Sequence, residues 1–215
     1  MTEEFKLTMA QLNACVGDFE GNLNKARHAF SLARKEGADM LVLPEMFLTG
    51  YQTQDLVQKK AFVEDAQREL SKFSEECSDG PTVGIGVPMR DGDKVYNAYA
   101  ILQNGKILTQ ICKHHLPNYK VFDEKRVFSS GEIHGPYVVN GVRIGSPICE
   151  DAWFSDVCET LEETGAEILI SPNGSPYYRG KFDKRISLMV SRAVENKLPM
   201  AYLNLVGGQD DQVFD

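Results

Sequence analysis

No run in the 215 residues approaches the roughly 20 consecutive apolar positions that a membrane-spanning helix needs; the longest, such as residues 40–43, are only a few residues long. No charged-then-apolar leader precedes Met9, so an unexported, soluble, cytoplasmic chain is expected. Cysteine is scarce and unpatterned. The five residues Cys15, Cys77, Cys112, Cys149 and Cys158 are odd in number, widely spaced and form no C-x-x-C, which argues against a disulfide framework or a zinc knuckle. Basic charge is in deficit, with 23 Lys and Arg against 31 Asp and Glu, a formal net charge of -8. Nucleic acid and anionic membrane surfaces both call for a basic face, so neither is an expected partner and a small molecule is. There is no low-complexity tract, linker or shift of composition, and Gly84 and Gly86 before Pro88 do not make a G-x-G-x-x-G turn into a helix. A dinucleotide fingerprint is therefore missing.

What is present reads as one large α/β domain over residues 1–215. Residues 6–11 alternate as a strand, and residues 21–35 place Leu23, Ala26, Phe30 and Ala33 at helical spacing. "MLVLPE" is a buried strand, residues 62–77 a second helix, and "VGIGVP" another short buried strand. Asn104-Gly105 and Asn140-Gly141 each stand between alternating apolar runs, the preferred chemistry of a two-residue hairpin, because both turn positions need positive φ. A helix near residues 153–164, the strand "EILISP", a helix near residues 183–196 and the strand "MAYLNLV" follow. "GADMLVLPE" and "GAEILISPN" share a pattern, either a generic helix-to-strand junction or the mark of a duplicated layer. Helices and strands alternate in both halves around antiparallel hairpins, which favours a layered sandwich over a purely parallel sheet.

Three polar residues share one situation, the position right after a buried strand: Glu45, Lys113 and Cys149. Ligand sites in layered α/β folds gather beyond the carboxyl ends of strands, so a carboxylate, an amine and a thiol delivered there can converge. A helix start at Asp151, beside an ammonium, would lower the thiol pKa; Lys113 would supply that charge and Glu45 would shuttle protons. Taken singly, each has an ordinary reading as a loop residue or a small core filler. His114 and His115 leave a Cys-His hydrolase open as an alternative. Gly207-Gly208-Gln209-Asp210-Asp211 lacks EF-hand carboxylate spacing and reads as a loop.

The blocks "LVLPE", "KHHLPNYKVFDEKRVF" and "GSPICEDAWF" resemble, in order, the three catalytic blocks of the nitrilase, or carbon-nitrogen hydrolase, superfamily. Together with "SPNGSPYYRGK" and "NLVGGQDDQVFD", they are similar to the glutaminase domain of bacterial glutamine-dependent NAD⁺ synthetases over nearly the whole chain. The resemblance implies a four-layer αββα sandwich and a catalytic Glu45, Lys113 and Cys149, with Glu124 as a second glutamate. It also implies an L-glutamine pocket drawing on Tyr51, Tyr119, Phe122, Glu150, Ser175 and Lys181, and a homo-oligomer. No metal or organic cofactor is implied for the amidase reaction. In that family the ammonia passes to a C-terminal synthetase domain, which uses ATP and Mg²⁺ to amidate deamido-NAD⁺. This chain lacks that domain's Ser-Gly-Gly-x-Asp-Ser phosphate loop and stops at Asp215 inside a block that normally continues, so a truncated amidase part is expected. Two rival readings stand beside it: a stand-alone amidase acting on another small amide, and an inactive binding or assembly module.

Overall fold

The computed structural model describes residues 4–210 and 212–215. In the first half, β1 (Leu7–Met9), α1 (Phe19–Lys35), β2 (Met40–Val42), α2 (Lys60–Glu76), β3 (Thr82–Asp91), β4 (Lys94–Gln103) and β5 (Lys106–Cys112) follow one another. Their strands form one sheet in the order β1-β2-β3-β4-β5, parallel from β1 to β3 and antiparallel from β3 to β5. The short α3 (Glu124–Val127) leads to β6 (Tyr137–Val139), β7 (Val142–Gly145), α4 (Ser155–Glu163), β8 (Ile168–Asn173), α5 (Lys181–Asn196) and β9 (Met200–Asn204). These four strands make a second sheet, β6-β7-β8-β9, antiparallel only at β6-β7. A small hairpin of β10 (Gly207–Gln209) and β11 (Gln212–Phe214) closes the described chain.

Strand alternation builds the layers. In β2, Leu41 packs with α1 and α2 residues such as Leu23, Phe30 and Leu70, while Met40 and Val42 turn to the other face. There they meet Tyr99 and Ile101 of β4 together with Val139, Ile144 and Ile170 of the second sheet. In β8, Leu169 packs outward with Val157 and Leu161 of α4 while Ile170 points between the sheets. A period of two thus gives each strand one face for helices and one for the opposite sheet, and the result is the expected four-layer αββα sandwich.

Both Asn-Gly pairs form two-residue hairpins, with φ of 52° and 75° at Asn104 and Gly105 and of 46° and 82° at Asn140 and Gly141. They lie in different sheets, however, and "VGIGVP" belongs to the ten-residue β3, antiparallel to β4. The two similar "GA" segments become β2 and β8, interior strands of opposite sheets. Gly207, Gly208 and Gln209, expected as loop, form β10; Asp211 lies outside the described residues. Among the described residues, no helix is long and apolar enough to cross a membrane.

Candidate active site

Glu45 leaves the end of β2 in a turn held against β3, where the Leu48 N–H donates to the Gly86 carbonyl and the Gly86 N–H to that of Pro44. A Cβ at position 86 would stand 2.0 Å from the Met46 nitrogen, so only glycine allows this approach. Lys113 follows β5, and its own N–H is anchored on the Asn97 carbonyl at 2.8 Å. Glu124 opens α3. Cys149 begins a five-residue 3₁₀ helix (Cys149–Trp153) after β7, with φ of 48°. A side chain at positive φ is sterically disfavoured, a strain of order 1–3 kcal/mol that the surrounding fold has to hold.

The three charged groups are fully or almost fully buried and in contact. The Lys113 Nζ lies 2.6 Å from Glu45 Oε1, 3.1 Å from Glu124 Oε1 and 2.9 Å from Glu124 Oε2. Asn97 Nδ2 donates to Glu45 Oε1 at 2.8 Å and to Glu124 Oε1 at 3.2 Å, and the Tyr51 hydroxyl donates to Glu124 Oε1 at 2.9 Å. From the second sheet, the Gly174 N–H donates to Glu45 Oε2 at 2.7 Å. A Cβ at Gly174 would come within 2.8 Å of the Tyr51 ring, so glycine is needed for that amide to reach the carboxylate. The segments after β2 and β8 therefore meet at one carboxylate.

The electrostatics follow from two carboxylates sharing one ammonium away from water. Burial pulls Lys113 down, but Glu124 and Glu45 outweigh it and hold the ammonium well above the ordinary lysine range. Burial pushes the Glu124 carboxyl up to about 7, with Lys113 opposing and Glu45 adding to the rise. Burial, then Glu45, drives the Cys149 thiol well above its usual value, and Lys113 only partly compensates. This corrects the expectation of a thiolate stabilised at a helix start. The segment is a short 3₁₀ turn rather than an α-helix, and the surrounding carboxylates outweigh the single ammonium. Burial therefore favours the neutral thiol, and Glu45 is the carboxylate whose charge acts on it most.

Glu124 carries a pH prediction. Its folded pKa of about 7 exceeds the 4.5 of an ordinary glutamate, so between these values the folded chain holds a proton that the unfolded chain has released. The corresponding stability is complete below the window and is lost as pH rises through about 7. Denaturant unfolding from pH 5 to 8 should show a fall in stability that is shallower in Glu124→Gln. Asp151, raised by burial to about 6, adds a fall of the same sign in both proteins, so the difference between them is diagnostic. Identical pH slopes would show that Glu124 does not titrate as described.

The residues expected to line a pocket divide into groups. Tyr51 is tied to the buried cluster through Glu124. The Tyr119 hydroxyl donates to both Glu150 oxygens, at 3.0 and 2.9 Å. Tyr119, Phe122 and Lys181 line one cavity of about 490 Å³ with Trp153 and Tyr178. Lys181 Nζ donates to the Pro176 carbonyl at 2.7 Å and sits over the Tyr178 ring at 5.2 Å. Burial lowers its pKa to about 8. Ser175 is engaged through its backbone, its N–H donating to Asn204 Oδ1 at 2.8 Å, and it does not line that cavity.

His114 and His115 turn away from the cluster. His114 Nδ1 meets the Gly131 carbonyl at 2.7 Å and His115 Nε2 meets Asp156 at 2.8 Å. The charges acting most on Cys149 are those of Glu45, Lys113, Glu124 and Glu150, so the geometry favours Lys113 over a Cys-His pair. Sequence reasoning missed Asn97, whose signal was a polar side chain inside the apolar β4. It also gave Asp151 no role beyond a helix start. Asp151 Oδ2 accepts from the Ile148 N–H at 3.0 Å, while Oδ1 accepts from the N–H groups of His114 and His115 at 3.1 and 2.7 Å. One buried carboxylate thus ties the Cys149 turn to the Lys113 segment.

Comparison with known proteins matches this architecture. The family description "Carbon-nitrogen hydrolase" fits residues 6–214. A glutamine-dependent NAD(+) synthetase of Rhodobacter capsulatus is 49% identical over 215 residues, which are 100% of this chain and 39% of that protein. The solved glutamine-dependent NAD+ synthetase from Acinetobacter baumannii, in complex with adenosine diphosphate, superposes with a TM-score of 0.93 at 32% identity, over 98% of this chain and 40% of that one. An amidase from Nesterenkonia sp. shares the fold, with a TM-score of 0.82 at 24% identity over 98% and 80% of the two chains. This chain thus spans about two fifths of the length of those synthetases. Matched along nearly all of its residues, the chain belongs to the carbon-nitrogen hydrolase family.

Proposed function

We propose that this chain is a glutamine amidohydrolase, releasing glutamate and ammonia through a thioester on Cys149. Glu45 takes the thiol proton as sulfur attacks the amide carbon, and Lys113 with the backbone N–H of Glu150 holds the oxyanion. The proton on Glu45 passes to the departing nitrogen, and ammonia leaves the thioester. Glu45 then takes a proton from the water that attacks the thioester carbon and returns it to the Cys149 sulfur as the C–S bond breaks and glutamate leaves. Glu124 positions Lys113 in this scheme. The step draws on side chains and water, with ATP and Mg²⁺ assigned to a separate synthetase part that would use the ammonia to amidate deamido-NAD⁺. The observation that carries the reading is the buried Glu45-Lys113-Glu124 contact, electrostatically coupled to Cys149.

The choice of glutamine is supported by charge. Glu150 and Lys181, each acting electrostatically on or with Cys149, suit an α-ammonium and an α-carboxylate, and the similar synthetases are glutamine-dependent by name. Self-association in the cytoplasm is part of the same reading. Supporting it, Phe182, Ile186, Val190 and Val194 recur every four residues along α5 and are all exposed. Incubation with an electrophilic glutamine analogue should add one adduct to Cys149 by intact mass, blocked by excess glutamine, and a panel of small amides should be turned over more slowly than glutamine. No adduct would favour a binding module, and a better amide would favour a stand-alone amidase.

A further inference from the structure

His114, His115 and Asp156 have no place in the reaction just described, yet one donor atom from each lies within 4.8 Å of the other two. In sequence, nothing marks them as a set, because Asp156 stands 41 residues beyond His115. We propose that these three residues bind a divalent transition-metal ion of the zinc, cobalt and nickel class, at the edge of a cavity that His114 and His115 line with Tyr119 and Glu150.

The arrangement resembles a prepared site in four respects. His114 Nδ1 faces the Gly131 carbonyl at 2.7 Å; a carbonyl only accepts, so Nδ1 carries the proton and Nε2 keeps its lone pair. An imidazole whose second nitrogen is fixed on a carbonyl is the usual support behind a metal-binding histidine. The His115 ring is set by Phe154, stacked at 4.2 Å with an interplanar angle of 29°, and its Nε2 stands 2.8 and 2.9 Å from the two Asp156 oxygens. Both histidine backbones are pinned by the buried Asp151 carboxylate, and Asp156 is held in the first turn of α4 through the Val157 N–H. The groups are also reachable, since the side chains of His115 and Asp156 are 23% and 50% exposed, and both histidines line a cavity of about 620 Å³. Lys125 and Glu150 line it too, with opposite charges.

A simple ion pair accounts for His115 and Asp156 but not for the third donor. Two imidazoles and one carboxylate match the borderline ions rather than calcium or magnesium, which prefer oxygen alone. Tetrahedral bonds of about 2.1 Å place ligand atoms about 3.4 Å apart, so the three donors need only a modest side-chain rotation to close on an ion. The ion takes the Nε2 lone pair of His115, and the proton that Nε2 shares with Asp156 moves to Nδ1. Water from the cleft fills the open coordination positions. Such an ion would tie the Lys113 segment to α4 without touching the reacting atoms.

The test is calorimetric titration of the Cys15→Ser protein, which lacks the exposed thiol, with ZnCl₂, repeated with CoCl₂ while recording the visible spectrum. One ion per chain is expected, with affinity at least tenfold weaker in each of His114→Ala, His115→Ala and Asp156→Asn. Zinc should raise the thermal midpoint of the parent protein but not of these variants, whose metal-free midpoints serve as the control for folding. The cobalt complex should show the bands of nitrogen and oxygen ligands. Affinity unchanged in all three variants, or intense sulfur-to-cobalt absorption that disappears on changing Cys149 to Ala, would overturn the proposal.

Discussion

Cys149→Ala should lower glutamine hydrolysis by about 10⁴-fold or more, because removal of a covalent nucleophile eliminates the thioester route rather than slowing it. Cys15, Cys77, Cys112 and Cys158, changed singly to Ser, should each retain most of the activity. The structure separates them by their surroundings. Glu45, Lys113, Glu124 and Glu150 act together on Cys149, whereas burial is the main influence that pushes Cys77 and Cys158 up to about 12 and Cys112 up to about 11. Steady-state ammonia release measures the effect. A Cys149→Ala protein keeping a tenth of the parent rate would refute the thioester mechanism.

Lys113→Ala should have the second largest effect and should act on both activity and stability. Loss of an oxyanion donor costs about 10²–10³ in rate. Leaving Glu45 and Glu124 buried without their shared ammonium costs about 3–5 kcal/mol of folding stability, since burial removes the water that would otherwise solvate them. Alkylation of Cys149 should also slow, because Lys113 is the nearby charge that favours the thiolate. Lys113→Arg, which keeps the charge, guards against misreading an unfolded variant: it should recover most of the stability but little of the rate, as a planar guanidinium cannot place its charge where the ammonium lies. His114→Ala and His115→Ala should change the rate far less. The opposite ranking would return the Cys-His alternative. Chemical denaturation and ammonia release, measured on the same samples, decide the matter.

Much of the local structure was legible because it depends on neighbours in sequence. The Asn-Gly turns were readable from the φ they require, α1 and α2 from apolar spacing, and the exits of β2, β5 and β7 from where aliphatic runs end in a polar residue. Those exits carry Glu45, Lys113 and Cys149, so the candidate reacting groups were visible before any fold was known, and the ordered blocks around them pointed to the family. Period alone could not assign strands to sheets. β4-β5 and β6-β7 look alike as hairpins, and only the packing of Tyr99 and Ile101 against Val139 and Ile144 sets them in opposite layers.

What only the tertiary structure decided was the state of the charges and the long-range partners. The sequence placed an ammonium and a thiol near each other and suggested a thiolate; burial, with the charges of Glu45, Glu124 and Glu150, favours the neutral thiol instead. Asn97 bridging Glu45 and Glu124, Gly174 reaching Glu45 from the second sheet, and Asp151 joining the Cys149 turn to the Lys113 segment all link residues that are far apart along the chain. A residue's identity and its local backbone preference are written in the sequence. Its solvation, and the charges that share its low-dielectric surroundings, exist only once both sheets have closed over it.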